Sequence, residues 1–336
     1  MKKTIIIFLG AAIGIGGSVA LRQILTKTRA PVVTTVDPAT KQKHDEEERR
    51  KIAWKIVAPR IEIAQEEALK AIDTRTQEVG DFFAERQKRV PAYAERVLSF
   101  RSKWELGKSK IPGADKDAHT RFLREEFSKI VFSQAELGQA VTGAAEDYVR
   151  DVQAIENALL VNIRADLKDM PECAAVLPDL KTEALFHDRF ARIVAGFSEK
   201  AGTDVKVDVG RIVGSEIATA ITIRVGIAVA ENLGVSSVIL GTGTAGSLET
   251  LGVSFVAGII VDQIVGWIIG WYDKPEVEIS KKLSAELDEL STLIVSGDEK
   301  NKTRGLKQEL EALAERRKLL RDDALREMIL QPGASQ

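Results

Sequence analysis

The chain is poor in the residues from which compact catalytic and metal centres are usually built. It has one cysteine, Cys173, three histidines, His44, His119 and His187, three methionines and only 5% aromatic residues among 336. A single cysteine excludes an intrachain disulfide framework, and Ala174 and Ala175 beside it give it the character of a small apolar residue. None of the histidines falls in His-Glu-x-x-His or another ligand spacing. His187 is followed by Asp188, but neighbours in sequence point to different sides of a helix, so the two do not read as a base with its carboxylate.

Gly-x-Ser-x-Gly is missing. The run Gly241-Thr242-Gly243-Thr244-Ala245-Gly246 lacks the lysine of a phosphate-binding loop. These absences leave no catalytic residue, no cofactor site and no metal site to name, and the chain reads as a non-enzyme. The net charge of −2 supplies no basic excess, so no nucleic-acid partner is expected.

What the chain does have is charge, 29% of residues, and glycine, 25 in all. Abundant charge with few aromatics suits long solvated helices. The glycines concentrate in a pattern. Every fourth residue from Gly210 is small: Gly210, Gly214, Ala218, Thr222, Gly226, Ala230 and Gly234. A second row runs Thr250, Ser254, Gly258, Asp262, Gly266 and Gly270. Residues four apart share a helix face, and a face without bulk lets two backbones approach closely. Glycine inside a helix costs roughly 1 kcal/mol against alanine, so close packing must compensate for such a row. With the turn-rich linker Val235 to Glu249 between the rows, residues 207–273 read as a helical hairpin closed along its small faces.

The two arms differ as membrane candidates. Residues 250–272 carry one charge, Asp262, and match the ~20 residues that cross a hydrocarbon core. Trp267, Trp271 and Tyr272 at their end resemble an interfacial aromatic belt. Residues 210–234 carry Arg211, Glu216, Arg224 and Glu231 and would insert poorly alone. In a hairpin centred on Gly243, Arg224 and Asp262 fall at the same depth and could neutralise each other as a buried ion pair. The alternative places Arg224 in water with Glu216 and Glu231 on a polar strip, leaving the first arm amphipathic. A buried helix pair in a soluble core is the competing account of the stripes.

Elsewhere, Lys2 and Lys3 precede an uncharged run to Leu21, with Gly10, Gly14 and Ser18 four apart, which reads as an N-terminal anchor or signal over 1–29. A Pro- and Thr-bearing linker follows over 30–43. A helical body is expected over 44–206. Its first stripe is Ile52, Ile56, Ile63, Leu69 and Ile72, with Pro59 as a kink or break. Its longest helix runs from Thr120 to Leu167, broken at Gly138 or Gly143 unless the bundle is elongated. Over 274–330, Ile279, Leu283, Leu287, Leu290 and Ile294, then Leu306, Leu310, Leu313, Leu320 and Ala324, read as a coiled-coil-like helical pair or as helices packed on the body.

The expected fold is all-α: an anchor, an elongated helical bundle, a glycine-striped apolar hairpin and a C-terminal amphipathic pair. The expected function is that of a membrane-anchored structural or interaction protein whose hairpin mediates insertion or helix assembly. A pore-forming or membrane-active protein with an insertable hairpin is the alternative, and a soluble helical protein with the hairpin as core comes third. The partners are a lipid bilayer and either a second copy or a membrane or envelope protein. Lysines and arginines flank the hairpin and are absent from its linker, which favours cytoplasmic flanks. The N-terminal pattern favours a body outside the cytoplasm at a bacterial-type inner membrane, and that orientation is the one adopted.

Overall fold

The computed structural model describes residues 37–109, 117–200, 214–232, 261, 262, 265 and 276–331. The chain divides into two compact units, 1–43 and 44–336. The anchor over 1–29 lies outside the described residues, as do the hairpin linker and most of the second arm. Among the described residues the fold is all-α, in line with the sequence periodicity.

The helices are α1 (Pro38–Gln87), α2 (Val90–Val97), α3 (Phe100–Ser109), α4 (Ala118–Ile130), α5 (Gln134–Lys168), α6 (Pro171–Val176), α7 (Glu183–Lys200), α8 (Gly214–Asn232), α9 (Glu276–Ser296) and α10 (Leu306–Leu330), with a 3₁₀ turn at Pro178–Lys181. Residues 261, 262 and 265 are also helical. Local chemistry sets several boundaries. Residues 38–43, read above as linker, are the first turns of α1, where a proline is tolerated because its missing N–H would have no helical acceptor. Pro59 does not end α1, which continues for about 75 Å in all at 1.5 Å per residue. Pro91, Pro171 and Pro178 each sit in the first turn of a new helix.

The expected Thr120 to Leu167 helix is broken, but at neither glycine. The break falls at 131–133, because Ser133 caps α5: its Oγ accepts from the Glu136 N–H at 3.2 Å and the Ser133 N–H donates to Glu136 Oε2 at 2.7 Å. That reciprocal box satisfies two donors a helix start would otherwise leave open. Gly138 and Gly143 are carried inside α5. Between α9 and α10, Gly297 at φ 70° ends one helix and donates to Leu293 O at 3.0 Å. A β-carbon on Gly297 or Gly305 would overlap the other strand of this turn, so the two glycines make its close approach possible.

Three long helices form the frame. α1 runs antiparallel to α5, bridged by Arg60–Asp166, Arg75–Asp151 and Arg86–Glu136 at 2.8–2.9 Å. It is also antiparallel to α10, through Lys307–Asp73 and Lys318–Glu62, each 2.8 Å, and Arg50 on the carbonyl of Ile329. Half-exposed pairs of this kind are worth about 0–1 kcal/mol each, so they fix register more than stability.

The buried side of α1 is Ala53, Val57, Ile61, Ala64, Ala68, Ile72, Val79 and Phe83. Only Ile72 was in the expected stripe. Ile52, Ile63 and Leu69 are exposed by 40–47%. Ala53, Val57, Ile61, Ala64, Ala68 and Ile72 step by four and three and so share one face of the helix.

The buried apolar residues form two clusters. The first joins α1 from Ala68 onward, α2, α4, the first half of α5, α8, Val261, Val265, α9 and the start of α10. The second joins the start of α1, the end of α5, α6, α7 and the end of α10. The whole 279–294 stripe is buried, and Leu283, Leu287, Leu290 and Ile294 of it belong to the first cluster. With Leu306, Leu310 and Leu313 it belongs to that core, against α2 and α8 as well as α10, and not to a separate coiled coil.

Candidate functional site

α8 is the first arm of the expected hairpin, and the bundle encloses it. Ile217, Ala218, Ile221, Thr222, Val225, Gly226 and Val229 are buried. Its closest helix neighbour is α5. The small residues Ala218, Thr222 and Gly226 lie on this buried face, and the buried face of α5 is small too, with Gly138, Val141, Ala144 and Ala145. Small opposed surfaces are what a close helix pair requires, in water as in lipid. Thr222 Oγ1 donates to Ala218 O at 2.8 Å, so its burial leaves no unmade hydrogen bond.

Of the second arm, Val261 and Val265 are buried in the same cluster as α8, and Asp262 between them is exposed. Gly214 opens α8. Gly210, Gly234, Gly258, Gly266, Gly270, Trp267, Trp271 and Tyr272 lie outside the described residues. Among the described residues no helix is long and apolar enough to cross a membrane.

The two charges expected to meet each have another partner. Arg224 Nη1 donates to Glu309 Oε2 at 3.0 Å, and Arg304 Nε lies 3.4 Å from the other oxygen of that carboxylate, which is 5% exposed. Asp262 Oδ1 lies 2.6 Å from Arg124 Nε of α4. The N–H of that nitrogen is not directed at an acceptor, so this is an ionic contact without an aligned hydrogen bond. Glu216 and Glu231 are exposed and Arg224 is half-buried, so the polar-strip arrangement describes the two glutamates only. At the end of α8, Asn232 donates to Thr303 Oγ1 and accepts from Asn301 Nδ2 at 2.6 Å, tying the helix to the α9–α10 turn.

A second polar group lies inside the frame. Arg317 clasps Glu156 with Nε at 2.9 Å and with Nη2. Arg321 reaches the same carboxylate at 3.4 Å and donates to Gln65 Oε1 at 2.9 Å, while Gln65 donates to Glu315 at 2.8 Å. Gln65, Glu156, Arg317 and Arg321 are 1–6% exposed. Burial pulls the Arg321 guanidinium below its ordinary value, against the pull of Glu156. Tyr148 Oη and Arg321 Nε have no hydrogen-bond partner among the described residues.

None of the four was singled out in the sequence, although a signal existed. The α10 stripe Leu306, Leu310, Leu313 skips to Leu320, and Arg317 occupies the missing position. Gln65 fills the same kind of gap between Ile61 and Ala68.

Ser102 Oγ lies 3.2 Å from His119 Nε2, with the residues 0% and 4% exposed. A hydroxyl beside an imidazole is the arrangement of nucleophilic catalysis. Here both groups are enclosed, and the bond ties α3 to α4. His187 is half-buried. Among the described residues no cluster of histidine, cysteine or acidic side chains could hold a metal ion. Cys173 is buried, and burial pushes its thiol above the usual range, which disfavours the reactive thiolate. Comparison with known proteins gives no relative: no family model, no curated protein and no solved structure matches this chain.

Proposed function

We propose that this is a non-catalytic, membrane-attached helical protein of structural or interaction type, held by residues 1–29, whose glycine-striped hairpin serves helix–helix assembly within its own body. The observation that carries this reading is the burial of Val261 and Val265, from the most apolar stretch of the chain, in one core with α8. An arm crossing a bilayer could not also keep Asp262 against Arg124 of the body. The attachment itself rests on the sequence of 1–29. The small stripes then act as packing faces, and the exposed helix faces are left for a protein partner or a second copy. A bacterial-type inner membrane with the body outside the cytoplasm is the setting that the N-terminal pattern favours.

A second reading is a membrane-active protein that keeps an insertable hairpin covered until release. The half-exposed Arg124–Asp262 contact favours it, because a contact of about 0–1 kcal/mol is easily given up. Carbonate extraction of the full chain and of a chain lacking 1–29 separates the readings. The first expects the full chain in the membrane pellet and the shortened chain in the supernatant. A shortened chain that stays in the pellet moves membrane binding to the hairpin, and a full chain released intact removes membrane attachment altogether.

A further inference from the structure

We infer that the bundle opens by halves: the polar layer of Gln65, Glu156, Arg317 and Arg321 is a joint, on one side of which α8, with Val261 and Val265, can come away while the α6–α7 side stays folded. The inference rests on the reading that the hairpin packs as part of the body.

The four residues sit where the two apolar clusters meet. On α1 the second cluster ends at Ala64 and the first begins at Ala68, with Gln65 between. On α5 the first ends at Val152 and the second begins at Leu159, with Glu156 between. On α10 the first ends at Ala314 and the second begins at Ala324, with Arg317 and Arg321 between. All three frame helices therefore change from one core to the other through a charged layer at one level. Ile155 is the residue packed against both clusters.

Cooperativity passes between regions through shared buried apolar surface, and regions that share little open separately. A buried ionic layer is a weak substitute, since the desolvation of its charges roughly cancels their attraction. Each half also owns helices that the other lacks: α2, α4, α8 and α9 on one side, α6 and α7 on the other. The frame helices can stay helical across the joint while α8 leaves.

Besides burial, Arg224–Glu309 at the middle of α8, Asn232 on the α9–α10 turn at its end, and Arg124–Asp262 hold α8 and the described residues of the second arm to the body. Departure uncovers Ile217, Ile221, Val225 and Val229, which step by four along one face of α8, together with Val261 and Val265, and such apolar surface is suited to acyl chains. This gives the second reading its route of release.

Amide hydrogen exchange of the full-length protein in mild detergent, read by mass spectrometry over a series of sub-denaturing urea concentrations, tests the joint. In wild type, segment 217–229 should open at lower free energy and with a shallower urea dependence than segment 173–193. Arg124→Glu, at a half-exposed site that folding tolerates, should speed exchange in 217–229 by about two- to tenfold and leave 173–193 unchanged. The swapped pair Arg124→Asp with Asp262→Arg should restore it. One rate and one urea dependence for both segments in wild type, or equal acceleration of both in Arg124→Glu, overturns the joint. Separate opening in a protein that carbonate releases leaves the joint standing and removes the membrane reading, while a carbonate-resistant protein that opens as one unit does the reverse.

Discussion

Replacing Glu156 by glutamine should destabilise the bundle far more than any surface ion pair would. Glu156 accepts two hydrogen bonds from Arg317 and one from Arg321, and both arginines are at most 4% exposed. An amide in its place offers one acceptor oxygen, no charge, and an NH₂ that faces two guanidinium groups. Two buried cations then lose the carboxylate they share, and breaking a buried pair on one side costs about 3–5 kcal/mol. Removing the charges together is a different perturbation. In Glu156→Leu with Arg317→Met and Arg321→Met no charge is stranded and apolar volume replaces the layer, which is often neutral or stabilising by about 1–4 kcal/mol. Gln65 then loses its Arg321 partner, which offsets part of the gain at about 1–3 kcal/mol. The triple variant should therefore be clearly more stable than the single one.

Urea unfolding followed by circular dichroism, with exchange as a second probe for each half, measures both. A cost below about 1 kcal/mol for Glu156→Gln would mean that water reaches the layer, and the argument from burial would be refuted. A triple variant as unstable as the single one would refute the claim that stranded charge is the cause. If the layer is a joint, filling it with leucine and methionine should also bring the exchange of 217–229 and 173–193 closer together, because the two cores would then share apolar surface.

Acid should loosen the α2–α4–α5 corner first. The hydrogen bond from Arg96 holds the Glu126 carboxyl below the usual glutamate range, and the backbone N–H of Ser133 does the same for Glu136. A depressed carboxyl contributes stability that is complete above its unfolded pKa, ~4.3, and is lost as pH falls from there through the folded value. Melting temperature should be flat near neutrality and fall below about pH 4.5, and Glu126→Gln with Glu136→Gln should flatten that fall. A slope unchanged by both substitutions would show that these carboxyls do not control it. At the α9–α10 turn, Gly297→Ala should cost about 1–3 kcal/mol, from a positive φ and a β-carbon set against the backbone of Thr303 and Gly305. Gly143→Ala, where a β-carbon meets open space, should be neutral to stabilising by up to about 1 kcal/mol. Equal melting temperatures for the two would sink the account of the turn.

The sequence by itself determined the all-α class and the buried stripe of α9. The stripe is a local property: Ile279 to Ile294 repeat at helical spacing with charge elsewhere. It also raised the expectation of close packing along the 210–234 stripe, of which Ala218, Thr222 and Gly226 are buried in α8. Tertiary structure decided what lies against that stripe. Ala218, Thr222 and Gly226 are as suitable for a helix of the same chain as for one in lipid, and only the placement of α5, with its own small face, selects the first for α8.

The same holds for charge. Arg224 and Asp262 were matched by depth in an isolated hairpin. Glu309 and Arg124, distant in sequence, come closer once the body surrounds it. The inside of α1 differs from the expected stripe because hydrophobicity ranks isoleucine and leucine above alanine, whereas the buried face, stepping by four and three from Ala53 to Ile72, includes Ala53, Ala64 and Ala68. The polar layer was invisible for a related reason. Gln65, Glu156, Arg317 and Arg321 each look like one interruption of one stripe, and they become a layer only when three helices from distant parts of the chain bring them to the same level.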